Sequence, residues 1–122
     1  MANGTHRFDK PSQILLEADQ TAQTVGVYTD GWDQQIKSAR SYCAVGMICC
    51  KIGQISQGVP ILIFDEICLQ EFDLKVEGKT CPIEGCIRLD TAHNLERNIV
   101  HLNDVHKWTF KLIGEWLQGL GY

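Results

Sequence analysis

The chain of 122 residues has no long apolar run, no concentration of positive charge and no apolar leader. Its longest uninterrupted apolar segment, residues 44–50, is far too short to cross a bilayer. The N-terminal residues lack the apolar core of a secretory signal, so we expect a cytoplasmic protein with no membrane partner. The net charge is −4 and the 11 Lys and Arg residues are scattered. This argues against a nucleic-acid partner, because phosphate binding needs a concentrated basic face.

Motifs of common enzyme classes are missing too. The sequence contains no G-x-x-x-x-G-K-[ST], no G-x-G-x-x-G and no G-x-S-x-G. A nucleotide loop and a nucleophile elbow are therefore unsupported, and we expect no cofactor.

The most apolar stretch predicts the centre of the fold. Residues 42–52 carry no charged side chain before Lys51, so a helix here would be buried on every side. Small residues recur along one side of it at helical spacing, among them Gly46, which predicts close approach of another helix. We expect a mainly α, compact single domain over residues 9–122, with four to five helices around this segment. Residues 1–8 should be a flexible terminus, and at most one short two-stranded β piece should form.

Periodicity and caps predict the remaining elements. A first amphipathic helix should begin at Pro11 and end at Gly26, and the last helix should begin at Thr109 as its N-cap. The elements predicted between them are a helix entering the core through residues 61–69, a short strand in 71–77 that could pair with 98–102, and a helix from Pro82 to His93 ended by Asn94.

Cysteine and histidine are the residues that could supply a nucleophile or a metal site. The six cysteines should be reduced in the absence of an export signal. Cys81 and Cys86 are five apart, unlike the C-x₂-C knuckle common in zinc sites. Adding His93 and His101 would complete four ligands only if the fold brought them together, so we expect no metal. Cys43 with a histidine could act as a nucleophile, but a buried inert thiol is the favoured interpretation.

Asn103 and Asp104 form a pair of turn and cap residues ahead of the last helix. Their side chains could bind backbone N–H groups and hold the chain where it leads to Thr109. A functional alternative makes Asp104 and His106 ligands in a pocket at the start of that helix.

Two stretches resemble a family of small uncharacterised bacterial and phage proteins. They are Cys43-Ala44-Val45-Gly46-Met47-Ile48, and Leu102-Asn103-Asp104 followed by Thr109 and an apolar helix. Gly31-Trp32 matches that family's Gly-Trp turn. Met47 and Leu102 depart from its usual Ala and aromatic residue, and residues 54–96 match nothing in it. The resemblance implies a fold, not an activity. Small proteins of mobile bacterial gene cassettes have the same general character.

The aromatic residues predict a binding role. Trp32, Trp108 and Trp116 are more aromatic surface than a small core requires, and aromatic residues are enriched at interfaces. We therefore expect a non-catalytic protein that binds a protein partner or a small ligand at Trp32, Asn103, Asp104, His106, Trp108 or Trp116. A homodimer formed through the last helix is one form of this hypothesis. The alternative is a small enzyme that uses Cys43 with a histidine, or Asp104 with His106.

Overall fold

Five α-helices and two small antiparallel sheets make up residues 6–86 and 94–122, the part of the chain that the computed structural model describes. The helices are α1 Pro11–Glu17, α2 Ala44–Lys51, α3 Phe64–Phe72, α4 Leu95–Asp104 and α5 Phe110–Gly119, with a 3-10 turn at Gln20–Ala22. The strands are β1 Thr29–Asp30, paired with β2 Ser41–Tyr42, and β3 Ile55–Ser56, paired with β4 Val59–Pro60. The predicted number of four to five helices is confirmed for the described residues, but the sheets there number two instead of at most one.

Helix α2 lies at the predicted apolar segment but starts later. Its first six residues, 44–49, are buried, and it packs against α1, α3 and α4. Tyr42 belongs to β2 instead, because residues 41 and 42 pair with β1. Cys43 is the N-cap of the helix, and its sulfur accepts a hydrogen bond from the Gly46 N–H at 3.4 Å.

The close approach predicted at Gly46 is made by an extended segment and not by a helix. A Cβ atom on Gly46 would overlap the carbonyl oxygen of Tyr28. The same oxygen accepts a hydrogen bond from the Cys43 N–H at 3.1 Å. The segment leading into β1 therefore lies directly on the first turn of α2, a position that only glycine permits.

The first helix is shorter than predicted. Helix α1 ends at Glu17, and Ala18 is extended with ψ 155°. Asp19 accepts a hydrogen bond from the Thr21 N–H at 3.0 Å, so its side chain starts a separate 3-10 turn and the α-helix does not continue to Gly26. Within the predicted flexible terminus, residues 1–8, the ring of His6 packs against the ring of Phe72 in α3, and the two ring centroids are 5.2 Å apart. Residues 1–5 lie outside the described part.

The strands predicted in 71–77 and 98–102 are wrong. Helix α3 begins at Phe64 and runs to Phe72, where Asp73 adopts the left-handed conformation, and 98–102 lies inside α4. Asn94 has an extended backbone and is the N-cap of α4: its side chain accepts a hydrogen bond from the Arg97 N–H at 2.8 Å. Two further N–H groups at the start of α4, those of residues 95 and 96, donate hydrogen bonds to the carboxylate of Asp65 in α3.

The helix predicted from Pro82 to His93 is not found in its described part. Residues 82–86 form bends and a turn, and residues 87–93 lie outside the described residues.

The last helix is confirmed. Thr109 accepts a hydrogen bond from the Leu112 N–H at 3.1 Å, and α5 ends at Gly119. Ile113 and Leu117 are buried, and α5 packs along α1. Among residues 6–86 and 94–122, no helix has the length and apolar character needed to cross a membrane.

Replacing Gly46 by alanine should destabilise the protein strongly. The added Cβ overlaps the Tyr28 carbonyl, so backbone must move at the centre of the core. We expect a loss of about 2–3 kcal/mol in the free energy of unfolding, measured by urea denaturation. Gly119→Ala is the matched control, because no atom lies within 4 Å of its added Cβ. The control should leave stability unchanged or raise it by up to about 1 kcal/mol. Equal denaturation midpoints for the two variants would contradict the contact.

Candidate functional site

Helix α4 is the element on which the polar side chains of the fold converge. The caps at Asn94 and Asp65 fix its start, so the residues along it have defined directions. Glu96, Val100 and Asp104 recur every four residues and share one face. Asn98 and His101, three apart, lie on another. Two groups of side chains lie along these faces.

The first group surrounds a groove between α4 and the segment before β1. A cavity of about 340 Å³ adjoins one of about 200 Å³, and Tyr28, Val100 and Asp104 line both. We call this space the α4 groove. Its other lining residues are Gly26, Val27, Cys43, Glu96, Arg97, His101 and Val105.

Two side chains of the α4 groove are linked by a hydrogen bond. The Tyr28 hydroxyl donates to Glu96 Oε2 at 3.1 Å, and Glu96 Oε1 accepts from the Phe64 N–H at 2.9 Å. Burial, together with the charge of Glu96, raises the pKa of Tyr28 to about 12. The hydroxyl is therefore neutral near pH 7 and serves as a hydrogen-bonding group, while Glu96 holds α4 to the start of α3.

Cys43 lies at the floor of the groove as a protonated thiol. Its residue is 4% exposed, and burial raises its pKa to about 11. Its sulfur already accepts the Gly46 N–H. The expected buried and unreactive thiol agrees with this geometry.

Asn103 and Asp104 do not form a turn ahead of α5, because both belong to the last turn of α4. Asn103 is fully buried. Its Oδ1 accepts from the Ala44 N–H at 3.0 Å and from Gln23 Nε2 at 2.8 Å, and its Nδ2 donates to the Thr24 carbonyl at 2.9 Å. Its Nδ2 also donates to Asp104 Oδ1 at 2.8 Å. Asn103 thus joins three segments, while Asp104 extends into the α4 groove.

The second group is a cluster of two cysteines and two histidines. Cys81 Sγ lies 3.3 Å from His106 Nε2, and Cys86 Sγ lies 3.4 Å from His101 Nε2. The two imidazole rings meet edge to face with centroids 4.7 Å apart. All four ligand atoms lie within 4.8 Å of one another, so together they could hold a metal ion. We call these four residues the Cys/His cluster.

A wide turn at the end of α4 brings His106 beside His101. In a regular helix, residues five apart point about 140° away from each other. Here the His106 N–H donates to the His101 carbonyl at 3.4 Å, a five-residue spacing that widens the last turn. Lys107 then adopts the left-handed conformation, with φ 56°, and the chain turns towards α5.

Asn98 brings the two cysteines to the same place. Its Oδ1 accepts from the Lys79 N–H at 2.6 Å, and its Nδ2 donates to the Lys79 carbonyl. Since Asn98 is one turn before His101, the chain after Lys79 runs beside the end of α4. Burial raises the pKa of the Cys81 thiol, and a hydrogen bond from the Ile83 backbone acts in the opposite direction.

Comparison with family models, curated proteins and solved structures found no match to the chain. The resemblance to small bacterial and phage proteins therefore stays a prediction.

The predicted site residues fall into separate environments. Asp104 lines the α4 groove, His106 belongs to the Cys/His cluster, and Trp108 and Trp116 are half-buried against the core. Trp32 lines a different cavity, of about 320 Å³, together with Lys37 and Cys50. The structure does not bring the three tryptophans into the groove.

Sequence reasoning did not find the Cys/His cluster as it stands. It considered Cys81, Cys86 and His101 with His93, which lies outside the described residues, and it placed His106 with Asp104. The shared spacing was the available signal: the two cysteines are five apart, and so are His101 and His106. The roles of Tyr28 and Glu96 had no local signal.

Replacing Asn103 by alanine should reduce the free energy of unfolding more than replacing Asn94, the N-cap of α4. Asn103→Ala leaves the buried Ala44 N–H and the partly buried Thr24 carbonyl without their partner. We expect a loss of about 3 kcal/mol in the free energy of unfolding. The control Asn94→Ala removes a half-buried N-cap and should cost about 1 kcal/mol. If denaturant unfolding gave the two variants equal losses in the free energy of unfolding, Asn103 would not be the link between these segments.

Cys43 should resist alkylation in the folded protein. With a pKa of about 11, about one thiol in ten thousand is ionised at pH 7. Iodoacetamide followed by peptide mass spectrometry should label the half-buried Cys50 before Cys43, and urea should abolish the difference. The Cys43 thiol ionises at a lower pH in the unfolded chain than in the folded protein. The free energy of unfolding should therefore fall as the pH rises from 9 to 11. If Cys43 were labelled first at pH 7, the enzyme hypothesis would regain support.

Proposed function

We propose that the protein is a non-catalytic binding domain whose ligand lies in the α4 groove. The observation that carries this proposal is the shared lining of two adjoining cavities, about 340 Å³ and 200 Å³, by Tyr28, Val100 and Asp104. A hydroxyl, an apolar side chain and a carboxylate thus line both cavities. Ligand sites in proteins combine apolar walls with a few convergent polar groups in this way, and the larger cavity is within their usual range of volume.

The charges of the groove favour a ligand with a positive group. Asp104 and Glu96 both line the larger cavity, and Arg97 is the cation among its lining residues. Glu96 is already bound through both oxygens, to Tyr28 and to the Phe64 N–H. Asp104 is therefore the carboxylate that a ligand would pair with. Val100 and Val105 would contact its apolar part, so a small organic amine fits the groove best.

The raised pKa values of Cys43 and Tyr28 support a role in binding without turnover. A nucleophile needs a thiolate, but the burial of Cys43 keeps its thiol protonated. A general acid or base works best with a pKa near the working pH, and that of Tyr28 is raised to about 12. Asp104 and His106 face different neighbours, the groove and Cys81 respectively. The groove thus offers recognition groups without an activated nucleophile.

The dimer predicted through α5 has less support than the groove. The apolar residues Ile113 and Leu117 of α5 are buried within the domain, where the helix packs on α1. Its exposed residues are Lys111, Leu112, Glu115, Gln118 and Gly119. A surface of this kind, with a single large apolar side chain, is ordinary for a solvated helix.

Amines should perturb the groove and carboxylates should not. We would record ¹H–¹⁵N spectra of the protein with two fragment pools of matched size, one of primary amines and one of carboxylic acids. The amide signals of residues 26–28 and 100–105 should shift with the amines. Asp104→Asn should weaken the best amine about tenfold or more, because a charge-assisted hydrogen bond is lost.

Glu115→Gln is the matched control, since it removes the same charge from the exposed face of α5. It should leave the amine affinity unchanged. Shifts that map to other parts of the chain, or equal affinities for the Asp104→Asn and control variants, would overturn the proposed ligand site. So would a response to neither pool.

A further inference from the structure

We propose that the Cys/His cluster binds one zinc ion, with Cys81, Cys86, His101 and His106 as its four ligands. This site is separate in chemistry from the α4 groove and does not depend on the function proposed there. Its ligands come from two parts of the chain, the segment after Lys79 and the end of α4. An ion at this position would connect them directly.

The distances within the cluster fit a tetrahedral ion. Zinc lies about 2.3 Å from cysteine sulfur and about 2.0 Å from histidine nitrogen, which places neighbouring sulfur and nitrogen ligands about 3.5 Å apart. The observed distances are 3.3 Å between Cys81 Sγ and His106 Nε2 and 3.4 Å between Cys86 Sγ and His101 Nε2. The largest separation within the cluster is 4.8 Å, so closure around the ion requires movement of about 1 Å.

The ligand types favour zinc over other common metals. Two thiolates and two imidazoles form one of the standard structural zinc sets. Calcium and magnesium prefer oxygen ligands, and a copper(I) ion would favour the sulfurs. Two thiolates and two neutral imidazoles also cancel the charge of Zn²⁺. A neutral assembly suits this position, where His101 is 5% exposed and the other three residues are half-buried.

The surrounding chain holds the ligands before any ion binds. The two hydrogen bonds between Asn98 and the Lys79 backbone fix the start of the cysteine segment. Within that segment, the Ile83 carbonyl accepts a hydrogen bond from the Cys86 N–H at 3.2 Å. Backbone hydrogen bonds to a ligating residue orient it and tune the site. Part of the ordering cost is thus met by folding, which raises the affinity for the ion.

Four protein ligands leave no open position on a tetrahedral zinc ion. Catalytic zinc sites use three protein ligands and keep the fourth position for water or substrate. The cluster therefore fits a structural role, in which the ion fastens residues 81–86 to the end of α4. A catalytic thiol–imidazole pair would need one cysteine and one histidine, and it would not explain why a second such pair lies against the first.

Metal content and cobalt substitution test the proposal. The full chain, produced without a histidine tag and purified with reductant, should contain one zinc per molecule by elemental mass spectrometry. After removal of zinc with a chelator, added Co²⁺ should give the visible absorption of tetrahedral cobalt and the ultraviolet bands of cobalt–thiolate bonds. Competition with Zn²⁺ should remove both signals.

Variants separate the cluster from incidental thiol binding. Cys81→Ser and His106→Gln should each weaken zinc binding on the order of 100-fold, since even residues that only support a ligand change affinity 10–100-fold. Asn98→Ala should weaken it about tenfold as a positioning residue. Cys50→Ser, at a half-buried thiol outside the cluster, should have no effect. Circular dichroism of each variant identifies any that fails to fold. Among them, His106→Gln should disturb folding least, because His106 lies after the end of α4.

Several results would overturn the zinc site. These are a metal-free purified protein that does not take up Zn²⁺ at micromolar concentration, an octahedral cobalt spectrum, or copper or iron as the metal present. Equal zinc affinity for Cys81→Ser and Cys50→Ser would show that the metal is bound elsewhere. The ligand site in the groove has its own test, amine binding.

Discussion

Two buried asparagines on α4 hold the irregular parts of this chain to its helices. Asn103 binds the backbone of residues 24 and 44 and the side chain of Gln23. Asn98 binds both backbone groups of Lys79. Each amide satisfies backbone polar groups that no helix or sheet satisfies, and such a group costs about 1–3 kcal/mol where it is buried without a partner. The positions of the groove and of the Cys/His cluster both depend on these bonds.

Helix α4 carries two kinds of chemistry because its faces are distinct. Glu96, Val100 and Asp104 face the segment before β1, where the Tyr28 backbone lies against Gly46 of α2. His101 contributes to both groups: its side chain lines the groove, and its Nε2 contacts Cys86. An ion at the cluster would therefore also fix one wall of the groove. The proposed zinc site and the proposed ligand site would both be built on α4, although each would bind a different kind of ligand.

Sequence reasoning succeeded where local signals agreed. For α5, the Thr109 cap and the apolar stripe both predicted a helix, and α2 followed from its apolar run. The prediction from sequence was wrong at α4, because Ile99 and Val100 are typical of strands and Asn94 suits either end of a helix. Tertiary contacts, including the two hydrogen bonds that Asp65 accepts from the Leu95 and Glu96 N–H groups, decide that the helix begins there. A regular helix would also point His101 and His106 about 140° apart, and only the wide last turn brings them together, so the cluster was missed.

Zinc K-edge X-ray absorption of the purified protein tests the central claim most directly, because it reports the atoms bound to the metal. We expect two sulfur atoms at about 2.3 Å and two nitrogen atoms at about 2.0 Å, with the outer scattering pattern of imidazole rings. This result would show that the segment after Lys79 and the end of α4 meet at one ion. A coordination sphere of oxygen and nitrogen alone would contradict the account, since neither cysteine would then hold the metal.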